Sequence, residues 1–253
     1  MRRKPKAGGP FHRKSKIINM KRSLTCISIA SILILSGCKK EKTPDMTREF
    51  TYEFQTGTEG WQGDFADYPD QPGVETFYAF QFAHSMLPAP LNTNEGGLKQ
   101  SGRNHSDDLF MFVKKKISGL EPGRKYELSI SVEFASNAAD GLVGVGGAPG
   151  ESVYIKAGAS ALEPVKVLNN TDGHFRMNID KGNQSTDGAD MKLIGNFANG
   201  TSSNNYNLKK LATAAPLSVK ADANGSLWLI VGTDSGFEAT TTIYYNSIKA
   251  VLK

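Results

Sequence analysis

The stretch "KYELSISVEF", Lys125–Phe134, alternates apolar and polar residues through its whole length. Successive side chains of a β-strand point to opposite faces, so the apolar residues of this stretch share one face. They are Tyr126, Leu128, Ile130, Val132 and Phe134. The pattern predicts a strand with one face in a hydrophobic core and the other in solvent.

The same period of two recurs along the chain after Phe50. It is seen in "EFTYEF" (Phe50, Tyr52, Phe54), in "GHFRMNID" (Phe175, Met177, Ile179) and in "GSLWLIVG" (Leu227, Leu229, Val231). Clusters of Gly, Pro, Asn and Asp such as "DYPDQPG" separate these segments and are typical of turns. No stretch predicts an amphipathic helix. The expected fold is all-β, an antiparallel two-sheet β-sandwich of the jelly-roll type.

The amino-terminal segment has the composition of an export signal. Lys21 and Arg22 precede an apolar run from Leu24 to Leu35, which is too short to span a hydrocarbon core of about 30 Å comfortably. The tetrapeptide "LSGC" that ends at Cys38 resembles a bacterial lipobox. That resemblance implies that Cys38 is diacylated and becomes the first residue of the mature chain.

This interpretation divides the chain into three parts. Residues 1–37 are expected to be a non-native extension and a lipoprotein signal peptide, and residues 38–49 a lipidated tether. Residues 50–253 are expected to form one β-sandwich domain. The implied location is the bacterial outer membrane, with the lipid bilayer as partner and the domain facing the periplasm or the cell exterior.

The charge balance excludes nucleic acid as a partner. Nine of the 30 Lys and Arg residues precede Cys38, whereas all 25 Asp and Glu residues follow it, so 21 basic and 25 acidic residues remain, a formal net charge of −4. A basic face of the kind that binds phosphate backbones is therefore not expected. The chain has two cysteines, Cys26 in the signal and Cys38 at the lipidation site, so no disulfide is expected in the domain.

Several segments together resemble a family of bacterial exported proteins and lipoproteins with a predicted sandwich fold and no assigned activity. These segments are "GWQGDFADYP", "NHSDDLFMFVKKKISGLEPG", "GVGGAPGESVYIKAGAS", "NIDKGNQS" and "GTDSGFEATTTIYY". The resemblance extends over nearly all of residues 50–252. It implies one intact jelly-roll domain of the carbohydrate-binding or galactose-binding kind, and it transfers no catalytic residue.

A structural calcium ion is one expectation for such a domain. Calcium takes six to eight oxygen ligands, which acidic residues in Gly-rich and Asn-rich loops can supply. Asp107 and Asp108 fit in residue type, together with Glu95 in "NTNEGG". The alternative is that these carboxylates only cap loop amides.

Glycan recognition needs aromatic faces and planar polar side chains. Trp61 and Tyr68 lie in a loop-rich region with several acidic residues, although Trp61 could equally close the end of the sandwich. On the strands, alternation places Tyr154 and Lys156 opposite the core. The same reasoning places Arg176, Asn178 and Asp180 on a polar face. On a concave sheet these five residues would line a ligand groove, whereas on a convex sheet they would only be solvated.

An enzyme is the alternative to a binding protein. "YIKAG" at residues 154–158 resembles the Y-x-K-A-G strand of an alginate-lyase-like family, which implies Tyr154 and Lys156 as catalytic residues. That family's R-x-E-L-R strand and Q-x-H pair are absent from this sequence. The leading hypothesis is a non-catalytic lipoprotein that binds a glycan. A polysaccharide lyase and a structural subunit of an envelope complex are the alternatives.

Overall fold

A computed structural model describes residues 47–253. The predicted signal peptide, Cys38 and most of the predicted tether lie outside these residues. Within them the chain forms fifteen strands and one short helix. The elements are β1 (Arg48–Tyr52), β2 (Gln62–Ala66), β3 (Tyr68–Pro69), α1 (Val74–Phe77), β4 (Gln81–Met86), β5 (Gly96–Arg103), β6 (Leu109–Ile117), β7 (Lys125–Ser136), β8 (Val153–Ser160), β9 (Lys166–Asn169), β10 (His174–Met177), β11 (Met191–Asn196), β12 (Asn207–Ala212), β13 (Leu217–Lys220), β14 (Leu227–Ser235) and β15 (Thr240–Leu252).

The strands form two large antiparallel sheets and one small one. Sheet A has the order β12-β7-β15-β5-β4, with β1 paired to β15 and β13 paired to β7. Sheet B has the order β11-β8-β14-β6-β2, and sheet C the order β3-β10-β9. All pairs are antiparallel. The predicted all-β sandwich is confirmed.

The order of eight strands identifies the topology as a jelly roll. These strands, in chain order, are β5, β6, β7, β8, β11, β12, β14 and β15. Sheet A contains the sixth, third, eighth and first of them side by side, and sheet B contains the fifth, fourth, seventh and second. This arrangement of two interlocked Greek keys is that of a jelly roll.

The stretch Lys125–Phe134 lies in β7, between β12 or β13 and β15. Its five alternating apolar side chains are all buried in the main core between sheets A and B. Burial of each such side chain stabilises the fold by roughly 1.5–3 kcal/mol. The predicted inward face of this strand is confirmed.

Sheet B is buried on its outer face as well. The segment of residues 161–190, which connects β8 to β11 and is here called the cover segment, lies over that face. Its Ile179 joins a second apolar cluster with Phe110, Phe112 and Ile230 on the sheet. Lys114 Nζ fixes the start of the cover segment, since it lies 2.6 Å from Glu163 Oε1 and 2.8 Å from the carbonyl oxygen of Pro164.

The cover segment corrects one expectation about the strands. Phe175, Met177 and Ile179 were expected to enter one core from one strand. Phe175 packs against the main core, whereas Met177 and Ile179 belong to the second cluster. The strand β10 lies in the small sheet C, not in either large sheet.

The helix α1 has four residues. Among residues 47–253, no helix has the length and apolar composition needed to cross a membrane.

Candidate functional site

A cleft of about 400 Å³ lies beside α1. Tyr68 and Phe175 supply its aromatic surface, and Lys166 lies next to them. The remaining lining residues come from the loop that precedes α1 and from the helix itself: Asp70, Gln71, Gly73, Val74, Glu75 and Thr76. We call this feature the α1 cleft.

The local chain path explains how the α1 cleft forms. The strand β3 pairs with β10 so that Tyr68 lies opposite Phe175, and the Asp70 amide donates to the Gly173 carbonyl at 2.8 Å. Gly73 then turns the chain into α1 with φ of 76°, a left-handed conformation that glycine adopts without steric cost. The loop before α1 is therefore held against the cover segment at one side and closed by a turn at the other.

Lys166 is fixed by the aromatic side of the cleft. Its ammonium donates to Tyr68 Oη at 2.7 Å and lies 3.2 Å from Asp64 Oδ1. It also lies 5.3 Å from the ring centroid of Tyr68 and 5.6 Å from that of Phe175, within the range of cation–π contacts. Burial alone would lower the pKa of Lys166, but the Tyr68 hydrogen bond and Asp64 outweigh it and the pKa is raised. Lys166 thus remains an ammonium donor.

The opposite rim carries polar side chains that the fold does not use. Asp70, Gln71 and Glu75 are exposed, and their side chains make no hydrogen bond or ion pair within residues 47–253. Phe175 is only partly buried. The α1 cleft therefore combines an accessible aromatic ring with several free hydrogen-bonding groups, which is the composition of a small-ligand site.

A second feature lies at the end of sheet B where β6 begins and β14 ends. It is a set of six charged residues, here called the buried ion cluster: Asp67, Asp108, Asp234, Lys156, Lys181 and Arg176. Three acids and three bases balance each other. A shallower cleft of about 270 Å³ opens onto this cluster beside Asp108 and Arg176.

Lys181 is central to the buried ion cluster. Its Nζ lies 2.8 Å from Asp234 Oδ2 and 2.9 Å from Asp67 Oδ2, and it stands 4.9 Å from the ring centroid of Phe110. Burial would lower the pKa of Lys181, but the charges of Asp234 and Asp67 outweigh it and the pKa is raised. On the solvent side, Arg176 Nη1 lies 3.0 Å from both Asp67 Oδ1 and Asp108 Oδ2.

Asp108 lies where the buried ion cluster meets the shallower cleft. Burial, followed by the nearby charge of Asp67, raises the pKa of Asp108 to about 6. Lys181 and Arg176 oppose this increase without cancelling it.

The three acids are also close enough to be considered as a metal site. One carboxylate oxygen from each of Asp67, Asp108 and Asp234 lies within 4.8 Å of the others, a spacing that could hold a metal ion. The ammonium of Lys181 already contacts two of these carboxylates, and Arg176 contacts Asp108. An added cation would have to displace these side chains or tolerate their repulsion.

Lys156 does not line an open groove. It is on the outer face of sheet B, as the alternation predicts, but its exposed fraction is 0% because the cover segment lies over it. Its Nζ donates to the carbonyl oxygens of Lys181 at 2.7 Å and Thr186 at 2.8 Å and lies 3.3 Å from Asp234 Oδ2. Burial lowers the pKa of Lys156, and Asp234 opposes that effect. All its contacts are internal, so a substrate could reach it only if the cover segment moved.

The other groove residues are separated by the same segment. Tyr154 is partly exposed on β8 and pairs with Asn196 of β11. Asn178 closes a turn of the cover segment through the Glu163 carbonyl and the Val165 amide. The carboxylate of Asp180 accepts from the amides of Gly182 and Ala189 in a neighbouring loop. Of the five residues expected in the groove, the structure brings together Lys156 and Arg176 in the buried ion cluster.

The aromatic residues predicted to bind sugar are mostly inside the protein. Trp61 is 2% exposed and makes edge-to-face contacts with Tyr52 and Phe54, which matches the alternative that it closes the sandwich end. Tyr68 lines the α1 cleft but is only 1% exposed, and its hydroxyl accepts a hydrogen bond from Lys166.

The residues predicted to bind calcium are not brought together. Glu95 precedes β5 and Asp107 and Asp108 follow it, so an eight-residue strand of about 25 Å separates them. The Glu95 carboxylate instead accepts from Asn92 Nδ2 at 2.8 Å. Asp107 is exposed at φ of 57°, with its main-chain carbonyl bonded to Gln184. Only Asp108 enters a cluster of carboxylates.

Sequence reasoning did not connect Asp67, Lys181 and Asp234. They are far apart in the chain, and no spacing pattern links them. One signal was available: "LFMFV" in β6 is continuously apolar, which indicates a strand buried on both faces and therefore a second layer over sheet B.

Comparisons with known proteins give similarity of fold. No protein-family model matches the chain, and no curated protein matches it in sequence. Among solved structures, a carbohydrate-binding module of the β-sandwich superfamily is 12% identical with a TM-score of 0.38, and the alignment covers 77% of this chain and 58% of that one. A mannan-recognising carbohydrate-binding module is 10% identical with a TM-score of 0.36, covering 81% and 99%. The K1 cleaved adhesin domain of Lys-gingipain from Porphyromonas gingivalis is 10% identical with a TM-score of 0.35, covering 81% and 98%. These comparisons assign the chain to no family.

Proposed function

We propose that the protein is a lipoprotein of the bacterial outer membrane whose β-sandwich binds a glycan without modifying it, and that the α1 cleft is the binding site. The observation that carries this proposal is the pairing of the partly exposed ring of Phe175 with the unused polar groups of Asp70, Gln71 and Glu75. A sugar ring presents an apolar C–H face and a rim of hydroxyl groups. The α1 cleft offers a matching surface for each.

A binding role is favoured over the lyase alternative by the position of Lys156. Proton abstraction beside a uronate carboxylate needs a base and a neutralising cation that both touch the substrate. Lys156 is enclosed under the cover segment and its Nζ contacts only protein groups. The Tyr154 and Lys156 pair therefore supports no proposal of catalysis.

The proposed anchor at Cys38 is compatible with a binding site at the far end of the domain. Arg48 at the start of β1 lies opposite Leu252, at one end of β15. At the other end of β15, Thr240 lies opposite Arg103, whose amide bonds to the carbonyl of Tyr78 directly after α1. A strand of 13 residues spans about 40 Å. The α1 cleft therefore lies near the end of β15 opposite to the end at which β1 begins.

We also propose that calcium is not required for the fold. Asp67, Asp108 and Asp234 have the spacing of a cation site, but Lys181 and Arg176 supply the positive charge there. The internal ammonium and guanidinium groups thereby replace the structural ion that the sequence suggested.

The test compares two double variants in glycan binding. Gln71→Ala with Glu75→Ala removes two free polar groups of the α1 cleft, and Gln62→Ala with Glu127→Ala removes exposed residues of the same types elsewhere. Affinity electrophoresis and calorimetry against neutral polysaccharides, alginate and other uronates would identify the ligand. Loss of two hydrogen bonds should weaken binding by about tenfold or more in the cleft variant. The control variant should bind like the parent chain.

Equal binding by both double variants would show that the glycan-binding site lies outside the α1 cleft. Absence of binding to every glycan in the panel would contradict the proposed function and favour a docking role in an envelope complex.

A further inference from the structure

The buried ion cluster holds an amine and a carboxyl group in contact and away from water. We propose that Lys181 and Asp234 condense to an intramolecular isopeptide bond, which covalently joins the cover segment to β14. This inference rests on the cluster alone and is independent of glycan binding.

The amine of Lys181 and the carboxyl group of Asp234 are in direct contact. Lys181 Nζ lies 2.8 Å from Asp234 Oδ2, which places the amine directly beside the carboxyl group that it would attack. Both side chains are held in place: Asp234 lies on the central strand of sheet B, and Lys181 is fixed by a second contact to Asp67. Such fixed pairs react with effective molarities of about 10⁵ M or more.

The surroundings favour the amide over the ion pair. The side chain of Asp234 is 0% exposed and that of Lys181 is 7% exposed, above the ring of Phe110. Burying two charges costs hydration that their mutual attraction has to offset, and a neutral amide carries no such cost. The low exposure of both side chains limits the access of the water that would hydrolyse the amide.

Neighbouring acids can carry the protons that the reaction moves. Asp67 Oδ2 lies 2.9 Å from Lys181 Nζ and can accept a proton from the ammonium. Asp108 has a carboxylate oxygen within 4.8 Å of one on Asp234, a separation that one bridging water can span to deliver a proton to the departing oxygen. Buried Oδ1 atoms of Asp108 and Asp234 accept no hydrogen bond from any residue in the described range, which leaves both free for such a proton. The raised pKa of Asp108 is consistent with this role.

The step balances without any other reagent. The neutral amine of Lys181 attacks Cγ of Asp234, a Cγ–Nζ bond forms, and one Cγ–O bond breaks. The ammonium and the carboxylate together become one amide and one water molecule. Nothing is oxidised or reduced. Asp67 and Asp108 keep their contacts with Arg176, and Lys156 keeps its two main-chain carbonyl acceptors.

Lys156 is the competing amine. Its Nζ lies 3.3 Å from the same Asp234 oxygen, but it donates to two main-chain carbonyls of the cover segment, those of Lys181 and Thr186. Lys181 is closer and contacts the proton acceptor Asp67. The bond is therefore assigned to Lys181.

The test is the mass of the full chain under denaturing conditions. Wild type is compared with Lys181→Arg, which keeps the charge but cannot condense, and with Lys166→Arg, which alters a lysine outside the cluster. We expect the mass difference for Lys181→Arg to exceed a simple Lys-to-Arg change by one water molecule. Lys166→Arg should differ from wild type by the substitution alone. A tryptic digest should contain a branched peptide that joins Lys181 to Asp234.

Another source of water loss must be separated from this bond. Asp140, Asp172 and Asp187 each precede a glycine and can cyclise to a succinimide, which hydroxylamine opens and which forms no branched peptide. A wild-type chain of unmodified mass overturns the proposal. A water loss mapped to one of these Asp-Gly sites, or a branch at Lys156, overturns it as well. These outcomes are read from wild type, so they do not depend on whether the variant folds.

Discussion

Asp108 and Asp234 place carboxylate oxygens within 4.8 Å of each other, with Asp234 fully buried and Asp108 partly buried. The charged groups around Asp108 are Asp67 and Asp234, which oppose its ionisation, and Lys181 and Arg176, which favour it. The effects of burial and of the two acids exceed those of the two bases, so the pKa of Asp108 rises from 3.8 to about 6. Its ionisation is thus less favourable in the folded than in the unfolded chain.

The pH dependence follows from that sign. Because the native pKa exceeds the unfolded value, the native state binds more protons between about pH 4 and pH 6, and this group's contribution falls as the pH rises through that window. The loss is at most about 3 kcal/mol for a shift of about two units. Asp108→Asn should remove this part of the slope, and urea unfolding at pH 4.5 and pH 7 would measure it. The exposed neighbour Asp107→Asn is the control, and an identical pH profile for both variants would contradict the prediction.

The hydroxyl of Tyr245 is buried without a hydrogen-bond partner among residues 47–253. The side chain is 0% exposed, and burial raises its pKa. Removing a buried, unpaired hydroxyl recovers its desolvation penalty, so Tyr245→Phe should stabilise the domain by about 1 kcal/mol. Denaturant unfolding of Tyr244→Phe, which alters a partly exposed tyrosine on the same strand, should show a change within about 0.5 kcal/mol. A destabilised Tyr245→Phe variant would show that the hydroxyl has a partner.

Lys156 is expected to hold the cover segment against sheet B. Lys156→Met would leave the carbonyls of Lys181 and Thr186 without their donor and remove one of the cations near Asp234. Loss of one member of a buried charge network costs about 3–5 kcal/mol. We expect a lower unfolding free energy and faster proteolysis within residues 182–187. The exposed Lys116→Met is the control, and similar digestion of both variants would argue against this role.

Calcium should have little effect on stability. A site with a dissociation constant one hundred times below the free calcium concentration would add about 2.7 kcal/mol to the unfolding free energy. Because the guanidinium of Arg176 already contacts both Asp67 and Asp108, we expect the same melting temperature in calcium and in EGTA. A calcium-dependent increase that disappears in Asp108→Asn would instead establish an ion in the cluster.

Sequence alone predicted the layers of this fold better than its site. The alternation at Tyr126, Leu128 and Ile130 specified an inward face, and that face is buried as expected. The same rule placed Lys156 opposite the core but could not tell solvent from a second layer of protein. The alternation of apolar and polar residues indicates which face of the sheet a side chain occupies. Which segment covers that face depends on contacts between residues that are far apart in the chain. Lys181 and Asp234, separated by 53 positions, are such a contact.

The pairing of β1 with β15 determines how the domain would respond to mechanical load. Arg48 lies opposite Leu252 and Tyr52 opposite Ile248, with the two strands antiparallel. A pull on the chain before Arg48, resisted at the opposite end of β15, acts along the strand axis. Such a pull shears the β1–β15 ladder, so its hydrogen bonds share the force instead of breaking one at a time. The β1–β15 pairing therefore resists force along the strands better than force across them.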